Sequence, residues 1–245
     1  MQQIYSSLKR LGYEVVERES NKSLLAYLRE DQADVVFNLA SIYDWDKTNL
    51  IPAVLEIAGA RYTGSGILGL SLARNYTRLF PLLFNSGIRL PGFAVIAVEN
   101  PPPDGLRYPL MLLRDGLRGS LCLKDSQDLR KALDLLPAGE EVLLLEQLPG
   151  ERLSLYLLDR SPFPSATDPL YLQAVQIAYD TLEARGLARF DFIRSAEGPV
   201  LERIEIAPDP LDEQFLHRVA SAGWDKERLL QALVQHSGRD HSQGV

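Results

Sequence analysis

The sequence predicts an α/β unit followed by an α+β region dominated by antiparallel strands. Three observations carry this. Over residues 1–66, short β-prone runs alternate with segments of helical apolar spacing, the pattern of a parallel sheet with crossover helices. From residue 91 onward, extended runs succeed one another across tight turns such as Pro149-Gly150, which only antiparallel neighbours allow. Near the C-terminus, Ala188-Arg189-Phe190-Asp191-Phe192 and residues 200–207 flank Ser195-Ala196-Glu197-Gly198 and read as a hairpin.

Taken in order, residues 2–11 carry apolar side chains at helical spacing and stop at Gly12. Tyr13-Glu14-Val15-Val16-Glu17 is a short strand, and residues 22–30 are a helix. Asp34-Val35-Val36-Phe37-Asn38 is a near-continuous apolar run, as in a buried parallel strand. Residues 50–58 are helical, and Arg61-Tyr62-Thr63 begins the next extended piece. One helical stretch covers residues 67–85 and ends at Gly87. Strands follow at 91–96, 108–113, 120–124 and 142–147, with a helix at 126–136. Pro101-Pro102-Pro103-Asp104-Gly105 is a stiff exposed connection. A strand at 152–158, a loop at 159–169 and a long helix at 170–185 lead into the hairpin. Helices at 213–221 and 225–235 close the fold before a polar tail at 237–245. The divisions read from this are 1–66, 67–150, 151–236 and the tail.

Composition excludes several roles. The 245 residues carry a net charge of −7, which argues against nucleic-acid or membrane-surface binding. Cys122 is the only cysteine, so no intrachain disulfide forms and a thiolate metal site is not expected. The three histidines, His217, His236 and His241, are spread over a helix and the tail. No apolar run is long enough for a membrane span, so a cytoplasmic location is expected.

The hairpin holds the candidate chemistry. Side chains alternate faces along a strand, so Arg189 and Asp191 share a face, as do Arg203, Glu205 and Ala207. Two carboxylates beside an arginine suit a hard divalent cation and an anionic ligand. The same residues also suit cross-strand ion pairs on a solvated sheet face. Both readings stay open at this point.

In order along residues 10–235, a set of segments resembles the D-alanine–D-alanine ligases of the ATP-grasp superfamily. They are Asp34-Val-Val-Phe-Asn38, Ala60-Arg-Tyr-Thr-Gly-Ser-Gly66, Ser86-Gly-Ile88 with Pro91, and Tyr108-Pro109. Glu146 with Pro149-Gly150, Ala188-Arg-Phe-Asp-Phe192, Glu205-Ile206 and Ala222-Gly223-Trp224 complete the set. The resemblance implies a truncated pre-ATP-grasp α/β domain over 1–66, then a two-lobe ATP-grasp domain with antiparallel sheets. It implies ATP and magnesium as cofactors, or none where the site is degenerate, and a small-molecule carboxylate as substrate. It implies Arg189 as the catalytic arginine, Asp191 and Glu205 as metal ligands, and Glu146, Arg118, Gly119 and Ser120 on the nucleotide. Such chemistry depends on positioning and on cations at the phosphates.

Against that pattern, parts are replaced. The first phosphate lysine of the family falls at Tyr76 and the second at Leu113. The neighbouring cations are Arg78, Arg114 and Arg118; Arg114 points to the opposite face unless its strand bulges. The family's second adenine-side glutamate reads Arg152, with Glu151 beside it. The lysine-bearing mobile loop is reduced to residues 159–168, the metal asparagine reads Ala207, and Leu211 replaces a glycine. The chain starts inside the helix that follows the family's first strand, so the N-terminal sheet is expected to lack that strand. Its unpaired edges call for a partner strand, a dimer contact or a rearranged sheet. Together these replacements predict a degenerate ligase acting as a binding or regulatory module, as a homodimer or with an active ligase homologue. An active ATP-dependent carboxylate–amine ligase with rewired phosphate contacts is the alternative.

Overall fold

The computed structural model describes residues 2–44, 47–100, 104–116, 119–163 and 168–237. Trp45, Arg118, His241 and the tail beyond Ser237 therefore lie outside the described residues.

The N-terminal unit contains α1 (Gln2–Arg10), α2 (Leu24–Asp31), α3 (Ala40–Tyr43) and α4 (Leu50–Ile57). Helix α1 ends in a closure in which Gly12 N–H reaches Lys9 O and Tyr13 N–H reaches Leu8 O. The expected parallel sheet reduces to a single parallel bridge, Val36 to Tyr62. The segment at 13–17 keeps an alternating burial pattern but forms no ladder. An extended run becomes a strand only where a second backbone pairs with it about 4.8 Å away, and 13–17 has no such pairing among the described residues.

The single helix expected at 67–85 is two, α5 (Ile67–Ala73) and α6 (Tyr76–Asn85). Asn75 breaks it: its backbone leaves the helical region at φ −112°, ψ 83°, and its side chain accepts from Arg78 N–H as a cap.

The first sheet is antiparallel, in the order β1 (Phe93–Ala97), β4 (Glu141–Glu146), β2 (Leu110–Arg114), β3 (Leu121–Leu123). One face carries Leu112, Val142 and Leu144 against Leu129 and Ala132 of α7 (Ser126–Leu133). The other carries Met111, Leu113, Leu143 and Leu145 into the central apolar cluster. At the start of α7, the N–H groups of Asp128 and Gln127 hold the Asp125 carboxyl below its ordinary value of 3.8. A depressed folded pKa contributes stability that is complete above the unfolded value and lost as pH falls through the folded one. Asp125→Asn, which keeps an acceptor but does not titrate, should therefore show a shallower loss of urea midpoint below pH 3.8 than the parent.

The second sheet runs β6 (Ser161–Pro162), β5 (Arg152–Leu158), β7 (Leu187–Ser195), β8 (Gly198–Glu205). Its rear face, with Leu157, Phe190 and Phe192, packs under Val175 and Tyr179 of α8 (Pro169–Thr181). One end of the front face, with Tyr156 and Phe163, packs on Phe215 and Trp224. Tyr156 and Phe215 stack at 4.3 Å between ring centroids. Helices α9 (Glu213–Ser221) and α10 (Lys226–Gln235) supply this cover, and α10 also packs on α1.

Helix α8 stops at Thr181, short of the expected 185, because Glu183 turns left-handed at φ 47°. Ala184 N–H then reaches Tyr179 O. That position favours glycine. Glu183→Gly should raise stability by about 1 kcal/mol, read as a melting temperature higher by about 2–4 °C.

Candidate functional site

The second sheet fixes the charged face by register. Arg189 lies opposite both Tyr156 and Glu205, and Asp191 opposite both Ser154 and Arg203. The β7–β8 ladder shifts register at Asp191/Phe192: Asp191 pairs with Arg203 but Phe192 with Leu201, which leaves Glu202 as the extra residue. Released from the ladder, Glu202 accepts two hydrogen bonds from Arg152, at 2.8 and 2.9 Å. The Arg152 cation therefore already holds a bidentate carboxylate. Glu151 does not slip into its place; it faces Arg194 at 3.5 Å.

Arg189 and Asp191 come together as expected. Arg189 Nε donates to Asp191 Oδ1 at 2.8 Å, and its Nη2 to Ser154 Oγ at 3.2 Å. The guanidinium also sits over the Tyr156 ring, 6.0 Å from its centroid. Asp191 is 9% exposed. Burial pulls the Arg189 pKa down, but the Asp191 hydrogen bond and charge outweigh it, and the net direction is upward. Ser154 was not legible in the sequence, because its place opposite Asp191 depends on how the Pro149-Gly150 turn sets the register.

Glu205 takes a different partner. Arg203 Nη2 lies 3.5 Å from Glu205 Oε2 on the open side of the face. Each carboxylate expected on a metal thus faces an arginine, and Ala207 beyond them coordinates nothing. No group of three or more His, Cys, Asp or Glu placed to hold a metal occurs among the described residues. Magnesium wants near-octahedral oxygen ligands and normally completes its shell with phosphate. The donor set here does not fit a magnesium–nucleotide centre.

The side expected to hold phosphate is occupied by the chain's own groups. Tyr76 and Leu113 both pack against the central apolar cluster. The β2–β4 ladder has no bulge, so Leu113 pairs with Leu143 and Arg114 keeps the opposite face. There Arg114 makes a bidentate pair with Glu140, at 2.5 and 2.9 Å. Arg78 reaches Glu141 at 3.1 Å. At the first turn of α6, Asp115 accepts from Thr77 N–H at 3.0 Å and from Thr77 Oγ1 at 2.5 Å. A helix N-terminus is a ready anion site, and this one already holds a carboxylate.

The residues expected on a nucleotide divide. Glu146 accepts from Arg107 N–H at 2.8 Å, and its carboxyl lies against Gly92, where an added Cβ would meet it at 2.6 Å. Glu146, at the end of the inner strand β4, thereby clasps two chain segments. Gly119 takes φ 93°, and Ser120 Oγ contacts Met111 Sδ at 3.7 Å. Beside Ala207, a small pocket is lined by Asn38, Ser41, Thr63, Pro208 and Pro210, with no charged side chain.

Comparison with known proteins finds D-alanine–D-alanine ligases among the chain's relatives and structural neighbours. A D-alanine–D-alanine ligase of Syntrophotalea carbinolica is 31% identical over 169 residues, covering 66% of this chain and 54% of the relative. One from Caulobacter vibrioides is 22% identical, covering 83% and 76%. The crystal structure of the Bacillus anthracis D-alanine–D-alanine ligase complexed with ATP superposes with a TM-score of 0.79, covering 96% of this chain and 89% of that one at 17% identity. The chain is similar in sequence to D-alanine–D-alanine ligases and shares the fold of the solved ones. No family model matches it. The ligase-like chain spans about half the length of several curated relatives that it matches. Its two antiparallel sheets flanked by helices are those expected from sequence, whereas the expected N-terminal parallel sheet is only a bridge among the described residues. No helix among the described residues is long and apolar enough to cross a membrane.

Proposed function

We propose that this ligase-like chain is a non-catalytic binding or regulatory module that does not use ATP. The observation that carries the reading is the fate of the phosphate contacts. Tyr76 and Leu113 stand where the two lysines belong and pack into the apolar core. The nearby arginines Arg78 and Arg114 are committed to Glu141 and Glu140. Rewiring either arginine to a phosphate would break an existing pair and leave a carboxylate beside the incoming anion, a like-charge arrangement.

The competing reading is an active magnesium- and ATP-dependent carboxylate–amine ligase. In it Asp191 and Glu205 would hold the metal, Arg189 the transferred phosphate, and Glu146 with residues 118–120 the nucleotide. The preserved Arg189–Asp191 contact favours it. Calorimetry with magnesium-ATP separates the two. The module reading expects no binding heat at about 1 mM nucleotide. Micromolar binding that Asp191→Ala or Glu205→Ala abolishes would sink it. The module would act in the cytoplasm as a homodimer or beside an active homologue, so sedimentation of the chain alone and with such a ligase should show a complex.

A further inference from the structure

Two extended segments of the N-terminal unit share a core without sharing hydrogen bonds. Tyr13 and Val15 point inward to the aromatic cluster of the C-terminal lobe, as do Phe37 and Leu39. Glu14 and Val16, between and after the first pair, point outward, and Val16 is 53% exposed. The first segment thus has strand-like alternation over this apolar floor, while in the second Asn38 is buried as well and Leu39 already has helical backbone as the cap of α3. On one side, Val36 is fully paired: its N–H donates to Arg61 O at 2.8 Å and its carbonyl accepts from Thr63 N–H at 3.0 Å. Backbone groups alternate sides along a strand, so those of Val35 and Phe37 face away from the Arg61–Thr63 segment. Among the described residues, no backbone hydrogen bond reaches Val35, Phe37 or residues 14–17.

We propose that this place accepts one added β-strand, supplied by another protein chain. Unpaired backbone beside a paired strand is a template for strand addition, with main-chain bonds giving affinity and alternate side-chain sites giving selectivity. The floor of Tyr13, Val15, Phe37 and Leu39 selects apolar residues at every second position of the incoming segment. The rim selects charge. Glu14, Glu17 and Asp34 are exposed there, while Arg18 is tied to Asp31 by bonds of 2.8 and 2.7 Å. The occupant is therefore an extended apolar segment flanked by lysine or arginine. This site is separate from the nucleotide face, so the inference stands or falls independently of the proposed function.

The test uses amide hydrogen exchange on the full chain, with a peptide of about eight residues of alternating valine and threonine between lysine pairs. In the free chain, the amides of Val35 and Phe37, which share one side of their segment, should exchange rapidly. With saturating peptide they should slow by about tenfold or more. A peptide with proline at its centre should leave them unchanged, because it lacks the central donor. Glutamate in place of the flanking lysines should weaken binding in low salt. Protection of these amides in the free chain would overturn the proposal, as would failure of the lysine-flanked peptide to bind. Equal binding of the proline or glutamate peptides would overturn it too.

Discussion

Gly69→Ala is expected to destabilise the chain by about 3 kcal/mol, seen as a melting temperature lower by about 6–12 °C. A Cβ at residue 69 would lie 2.6 Å from the Leu182 carbonyl oxygen and 3.2 Å from the Ile206 side chain. The first contact is to backbone at the end of α8, which cannot rotate away as a side chain would. The same junction is tightly drawn elsewhere. Gly64 and Gly186 meet backbone to backbone, and Ser65 Oγ bonds to the carbonyls of Arg185 and Ile206. Pushing α5 outward would loosen all of these contacts together. Leu68→Ala, at a side chain 50% exposed on the same helix, is the control and should change stability by less than about 0.5 kcal/mol. Equal small effects of the two changes would mean that α5 is not pinned to the C-terminal lobe.

That junction was only partly legible in the sequence. The Thr63-Gly64-Ser65-Gly66 run reads equally well as a flexible turn, and its close approach to Gly186 requires contact between residues far apart in the chain. The antiparallel strands were readable because their apolar runs are bounded by turns, and the β7–β8 hairpin fell within three residues of its expected bounds. Helix ends decided by a single backbone conformation were not. Asn75 splits one expected helix and Glu183 shortens another, although neither is glycine or proline. The N-terminal strands were over-read because β-propensity marks a segment that fits a sheet, not one that has a neighbour. At the site, alternation alone placed Arg189 with Asp191. It could not foresee that Arg114, Arg78 and Arg152 would each find a glutamate, since those partners lie 26, 63 and 50 residues away.

The Arg189–Asp191 pair gives the second large effect. Arg189→Ala should cost about 2–3 kcal/mol, because it strips the cation from a carboxylate that is almost wholly buried. Asp191→Ala should cost less, since the Arg189 guanidinium keeps Ser154 and the Tyr156 ring. The double variant should be more stable than the sum of the two losses predicts, by about 1–2 kcal/mol of coupling. Magnesium then separates a structural pair from a metal site. In the parent chain Arg189 covers Asp191 and Arg203 attends Glu205, so about 10 mM magnesium should leave the melting temperature unchanged. Arg189→Ala frees Asp191 opposite the Glu205 strand, and the same magnesium should recover part of the lost stability. A cation at ten times its dissociation constant recovers about 1.4 kcal/mol. If instead magnesium stabilises the parent and Asp191→Ala removes that response, the two carboxylates form a working metal site. The arginine beside them would then have to be reassigned from partner to catalyst.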